Sequence, residues 1–130
     1  ICIEDVVIGA DVLVTTTPVT NPIIKYSYLS DHVLINAIGA DAPGKQELDP
    51  RILKESYIIV DDLEQASHSG EIHRAIEQGD ISLASVAGIL GDIENFSIPS
   101  HWMKNVNSSI LGLKNFKRYN ISIRRHKRRQ

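Results

Sequence analysis

The chain has 130 residues, one cysteine, five histidines and a formal net charge of −2, a size that suits a single domain with a real core. No apolar run is long enough for a membrane-spanning helix, and nothing at the N-terminus reads as a signal peptide; the lone Cys2 leaves no internal disulfide and fits a reducing cytoplasm. The near-neutral total conceals a split, because all 16 acids lie between Glu4 and Glu94 whereas nine of the 14 Lys and Arg residues follow His101, in a stretch with no acid.

In chain order, the first predicted element is a strand over Val12-Leu-Val-Thr-Thr-Thr17, followed by a second over His32-Val-Leu-Ile-Asn-Ala-Ile38 and a third over Tyr57-Ile-Ile-Val60. These runs are continuous rather than alternating, which favours parallel strands covered on both faces. The gaps between them, about 15 to 20 residues, suit crossover connections and are too long for hairpins. Asp49-Pro50 sets a capping acid before a proline at the first helical position, with Leu48 and Leu53 at the spacing of a hydrophobic staple. Asp62-Leu-Glu-Gln65 repeats the capping pattern. Gly70 is expected to break that helix, and "GEIHRAIEQG" reads as a second helical piece ending at Gly79. "SLASVAGIL" reads as a further short helix, as does "SSILGLKNF" in the basic tail.

The resulting order predicts an α/β fold with an open parallel sheet. Such sheets bind ligands beyond the carboxyl ends of their strands. The two polar tips that follow the first two strands, "TTTP" and "GADAPGK", would share that edge. Each residue there has a plain reading and a chemical one. Asp41 stabilises the Pro43-Gly44 bend, or serves as a general base beside a partly dry pocket. Lys45 is solvated, or contacts a phosphate or ribose. Thr15, Thr16 and Thr17 fill a strand, or offer hydroxyls to a ligand. Gly39 and Ala40 are small enough for a ligand to lie against the backbone. The histidines at 32, 68, 73, 101 and 126 have no metal-site spacing and read as structural or exposed. There is no Gly-x-Gly-x-x-Gly phosphate turn and no nucleophile elbow.

The runs "GADVLVTTTP", "GADAPGKQELDPRIL" and "YIIVDDLEQASHSGEI", in that order and spacing, resemble the ornithine cyclodeaminase/mu-crystallin family, which includes archaeal-type alanine dehydrogenases. The resemblance covers about residues 9–92 and implies a partial Rossmann-type doubly wound sheet, of about three strands with crossover helices. It implies NAD as cofactor, with NADP the alternative, and hydride transfer at the amine-bearing carbon of a small amino acid such as ornithine or alanine. In this reading Asp41 is the catalytic acid/base, while Thr17, Ile38, Gly39, Ala40 and Lys45 touch the cofactor. The family implies a homodimer, and its mu-crystallin branch implies a non-catalytic binding protein as the alternative.

A member of that family is more than twice this length, and the phosphate turn lies in the part not seen here. The chain is therefore expected to be a fragment with little or no turnover alone, or an inactive truncated gene product. Residues 1–95 form the expected partial cofactor domain. Residues 96–130 form a poorly ordered basic tail, or an out-of-frame reading. Its nine basic groups with Trp102, Phe116 and Tyr119 could hold nucleic acid, but charge runs are usually solvated and nucleic acid is not the expected partner.

Overall fold

A computed structural model describes residues 2–31, 33–95 and 108–112. Its frame is a single sheet of five parallel strands: β1 (Val12–Thr15), β2 (Val33–Ala37), β3 (Tyr57–Val60), β4 (Val86–Ile89) and β5 (Ser108–Gly112), in the spatial order β1-β2-β5-β3-β4. The three strands expected from the apolar runs are present and all point the same way. β1 lies directly against β2, with Val12 opposite Leu34 and Thr15 opposite Ala37. β3 is not the next neighbour of β2, because β5 sits between them, with Ile110 in register with both Ile35 and Ile58.

Two short-helix expectations give way to strands. The run "SLASVAGIL" divides into a 3-10 turn over Leu83–Ser85 and strand β4. Val86 and Ile89 are β-branched and Gly88 weakens a helix, so the segment pairs along the edge of β3 instead. In "SSILGLKNF", Ser108–Gly112 is strand β5, hydrogen-bonded on both sides; sheet pairing overrides a weak helical pattern. The strand lies beyond residue 95, where the cofactor domain was expected to end. The other tail residues, including the candidate nucleic-acid contacts Trp102, Phe116 and Tyr119, lie outside the described residues.

The helical connections follow their capping signals. Helix α1 (Ile3–Val7) precedes β1. α2 (Pro50–Lys54) starts where the Asp49 carboxylate accepts the Arg51 N–H at 2.9 Å, with the staple pair Leu48 and Leu53 both buried. α3 (Leu63–Ser69) starts where Asp62 accepts from the Gln65 N–H at 2.7 Å and stops at Gly70. α4 (His73–Glu77) ends just before Gly79, whose φ of 74° is left-handed.

These helices bury one continuous apolar cluster against the sheet. Ile35, Ile58 and Val60 from the strands meet Ile52, Leu53, Ala66, Ile72 and Ala75 from the helical side. Burial alternates strictly along β1 and β2, with Leu13 and Thr15 inward and Val12 and Val14 outward on β1. Among the described residues, no helix is long and apolar enough to cross a membrane.

Candidate functional site at the carboxyl ends of β1 and β2

Beyond Thr15 and Ala37 the two neighbouring strands run into the polar tips. Ile38 and Gly39 both donate their N–H groups to the Thr15 carbonyl, at 2.9 and 3.2 Å, which carries the strand pairing one step further. Gly39 then sits so close to β1 that a Cβ there would lie 2.3 Å from the Thr17 carbonyl oxygen and 2.4 Å from its nitrogen. The space at Gly39, expected to admit a ligand, is filled by Thr17 and by the carboxylate of Glu47. Ala40 is buried, and Ile38 is half-buried.

The chain turns at once. The Asp41 N–H donates to the Gly39 carbonyl at 3.0 Å, and the Lys45 N–H to the Ala42 carbonyl at 3.3 Å. With Pro43 at the first central position and Gly44 at φ 81° at the second, residues 42–45 have the pattern of a type II turn. This turn brings Lys45 Nζ to 2.5 Å from Asp41 Oδ1, and the Asp41 side chain is 58% exposed. Both readings of Asp41 are therefore compatible with its setting: it belongs to the bend, and it presents an accessible carboxylate beside a cation. A carboxylate so placed can exchange a proton with a bound molecule.

After the turn, residues 46–49 return alongside the segment that follows β1. Gln46 donates to the Val19 carbonyl at 3.1 Å, Ile23 and Ile24 donate to the Glu47 carbonyl at 2.9 and 3.0 Å, and Asp49 donates to Ile24 at 3.0 Å. This pairing buries Gln46, Glu47 and Leu48. Glu47 is 0% exposed, yet each of its carboxylate oxygens accepts two hydrogen bonds. Oε1 takes the Thr17 N–H at 2.6 Å and the Thr17 hydroxyl at 2.7 Å; Oε2 takes the Thr15 hydroxyl at 2.6 Å and the Gly39 N–H at 2.9 Å. Two of the three threonine hydroxyls considered for a ligand are thus given to Glu47, and Thr16 is exposed.

A second acid supports the first. Glu71, between α3 and α4, accepts the N–H of Glu47 on both oxygens at 3.0 Å and that of Leu48 at 2.7 Å. Burial pushes its carboxyl up to about 8, against the pull of those hydrogen bonds and with a further push from the nearby Glu47 charge. Three residues on, Arg74 donates to the carbonyl of Thr20 and to that of Gly44 at 3.5 Å. Helix α4 and its approach thereby hold Gly44 of the second tip, the returning segment after it, and Thr20 just beyond the first tip.

Of the residues singled out from sequence, Thr17, Ile38, Gly39, Ala40, Asp41 and Lys45 all lie along this one edge. The supporting residues Glu47, Glu71 and Arg74 were not singled out. Glu71 carried a signal, since it stands four residues before Ala75, on the stripe that also buries Ile72. The histidines that are described behave structurally. His68 Nδ1 meets the Glu64 carbonyl at 2.8 Å, and His73 bridges the Ser67 carbonyl at 2.8 Å and Glu77 at 3.4 Å. No cluster of His, Cys, Asp and Glu that could hold a metal occurs among the described residues.

Comparison with known proteins agrees with the motifs. An alanine dehydrogenase of Archaeoglobus fulgidus is 53% identical over 83 residues, covering 64% of this chain and 26% of that protein. Mouse ketimine reductase mu-crystallin is 31% identical over 113 residues, covering 85% of this chain and 34% of its own length. Among solved structures, an archaeal alanine dehydrogenase dimer with bound NAD superposes with a TM-score of 0.72 at 43% identity, over 80% of this chain and 32% of that one. The chain thus spans about a third or less of the proteins it matches. The sheet is part of a Rossmann-type domain. The sequence profile of the ornithine cyclodeaminase/mu-crystallin family matches residues 2–99, and the chain belongs to that family.

Proposed function

We propose that this chain is the dinucleotide-binding part of an NAD(P)-dependent amino-acid oxidoreductase, with the cofactor lying across the carboxyl ends of β1 and β2. The observation that supports this most is the juxtaposition of Thr17, Gly39 and the Asp41–Lys45 pair at one strand-end edge, the position at which open parallel sheets take ligands. The residues fit such a group at this edge: the turn offers an ammonium, an accessible carboxylate and half-buried Ile38. No residue here is assigned to the cofactor's pyrophosphate, because the sequence has no Gly-x-Gly-x-x-Gly turn.

In this reading Thr17, Ile38, Gly39, Ala40 and Lys45 form the cofactor side of the site, and Asp41 exchanges protons with the substrate. The nicotinamide supplies the hydride acceptor. The substrate's amine-bearing carbon gives up a hydride and its nitrogen a proton, leaving an imine. Water, or cyclisation onto a second amine, then releases ammonia. The strong match to an alanine dehydrogenase favours alanine as substrate class, with ornithine the alternative. A homodimer in the cytoplasm is the assembly proposed for the complete enzyme. Orientation of the substrate supplies much of the rate in such reactions, so this chain alone is expected to bind NADH with little or no turnover.

Titration of NADH fluorescence with the purified chain tests the reading. Saturable binding that is weakened by Asp41→Ala or Lys45→Ala supports it; no enhancement or quenching up to millimolar protein would reject it. NADH formation from alanine or ornithine by the chain alone would overturn the expectation of inactivity.

A further inference from the structure

We infer that Glu47 is the positioning residue of this edge: its carboxylate clamps the ends of β1 and β2 together and so sets where Thr17 and the Asp41 turn stand. The inference rests on the dinucleotide reading above and deepens it. The clamp is unusual in its composition. All four partners of Glu47 are donors, two hydroxyls and two backbone N–H groups, arranged as one pair on each oxygen. Only an acceptor-only group matches such a set. The two backbone donors belong to Thr17 and Gly39, and the Gly39 carbonyl holds the N–H of Asp41 at 3.0 Å. A shift of the carboxylate therefore moves both walls of the edge.

A buried acid is a poor device for stability alone, because an apolar side chain of similar volume usually serves as well. What the acid adds is a fixed separation and register between two backbone segments 22 residues apart in sequence, Thr17 and Gly39. Glu47 is itself immobilised: its N–H is held by Glu71 and its carbonyl by Ile23 and Ile24. The carboxylate thus transmits the position of the helical layer to the strand tips.

Glu47→Gln separates this role from mere burial. The amide keeps the shape and one oxygen, but its NH2 must face one of the two donor pairs. A threonine hydroxyl can rotate and accept, whereas a backbone N–H has no such freedom. If the NH2 faces the Oε1 donors, the Thr17 N–H loses its partner; if it faces the Oε2 donors, the Gly39 N–H keeps only its longer bond to the Thr15 carbonyl at 3.2 Å. The test combines amide hydrogen exchange by NMR with NADH titration on the whole chain. In Glu47→Gln, exchange at one of these two amides is expected to rise at least about tenfold, with NADH affinity falling about tenfold, the scale of one lost charge-assisted hydrogen bond. Thr15→Val removes one hydroxyl from Oε2 with little change of volume and leaves the proposed cofactor contacts untouched. It is expected to perturb the Gly39 amide and not that of Thr17, and it serves if the Gln variant does not fold. Unchanged exchange at both amides in either folded variant overturns the inference, as does NADH affinity within about twofold of the parent despite a released amide. If the parent chain binds no NADH, the cofactor reading fails, and the amide pattern alone then upholds or overturns the clamp.

Discussion

At the carboxyl ends of β1 and β2 two acids, Glu47 and Glu71, are buried, while on α1, its C-cap Ile8 and the outward side of β1 five aliphatic side chains stand in solvent. Ile3, Val6 and Ile8 of the first segment are 45%, 61% and 59% exposed, and Val12 and Val14 of β1 are 58% and 52% exposed. Both regions invert the usual distribution of polar and apolar groups. They differ in what the inversion demands. Burying a carboxylate is costly unless its lone pairs are matched, so the buried region had to build a dense set of directional bonds, which fixes the backbone. An exposed valine imposes no geometry, and the outward side of β1 carries only the alternation of the strand. The part of the molecule with the strictest local structure is thus the part where two segments distant in sequence are bonded through one side chain.

The largest effect that can be expected from a single methyl group lies in the first region. In Gly39→Ala the new Cβ would meet two backbone atoms of Thr17 and Oε1 of Glu47, at 2.3, 2.4 and 2.6 Å. The first two are backbone, and the third, although it ends a side chain, is held in place by the four hydrogen bonds to the Glu47 carboxylate. The tips of β1 and β2 must part, and the four bonds to Glu47 go with them. Overpacking together with broken buried hydrogen bonds predicts a loss of about 3 kcal/mol or more in urea unfolding. A loss below about 1 kcal/mol would show that the tips are not clamped.

The next effect is a dependence on pH. The Glu71 carboxyl rises from its ordinary 4.5 to about 8 in the folded chain, chiefly through burial. A folded state that holds a proton more tightly than the unfolded chain is favoured wherever that proton is bound. The contribution of Glu71 is therefore complete at and below pH 4.5, declines as pH rises, and is gone above about 8. Each unit of pKa corresponds to about 1.4 kcal/mol, so the span reaches a few kcal/mol. Unfolding curves from pH 5 to pH 9 should show stability falling with pH. In Glu71→Gln, which keeps an acceptor for the Glu47 and Leu48 N–H groups, that slope should vanish. An unchanged slope would mean that Glu71 is ionised throughout.

Gly44→Ala provides the calibrating contrast to Gly39→Ala. A Cβ at Gly44 has nothing within 4 Å, so only the φ of 81° opposes it. Left-handed backbone costs a non-glycine residue about 1–2 kcal/mol, and the loss of stability should be of that size. The two substitutions separate a glycine required by close approach from one required by a turn. An equal cost at both positions would remove the argument that β1 and β2 are held unusually close.

These two glycines also show what was legible from sequence and what was not. Pro43-Gly44 announces a turn by local chemistry, as Asp49-Pro50 and Asp62 announce helix starts, and each occurs where expected. The three apolar runs likewise gave β1, β2 and β3. Gly39 reads as space for a ligand, yet its neighbour is Thr17 across the sheet; no local pattern carries that information. Glu47 is hidden for the same reason, since its four partners lie 8 to 32 residues away. β5 was missed because "SSILG" is short and set in a basic tail, and its strand state comes from neighbours on both sides. β4 reads as helix because Val86-Ala-Gly-Ile89 has no alternation of apolar and polar residues in sequence.

The smallest effect belongs to the second region and tests it most directly. Val14 points away from the core cluster and is 52% exposed, whereas its neighbour Leu13 is 8% exposed within that cluster. Val14→Thr keeps the β-branch and the strand propensity while making the outward face more polar. With solvent on that side, the change should lie within about 0.5 kcal/mol, the ordinary range for surface substitutions. Urea unfolding at two protein concentrations, a hundredfold apart, completes the test. A larger loss that grows with concentration would mean that a second copy of the chain covers the valines, because anything that binds only the folded form adds stability in proportion to the logarithm of its concentration. A small, concentration-independent change would leave the contrast as drawn: a face that tolerates substitution, one residue away from a strand end where Thr15 gives its hydroxyl to Glu47.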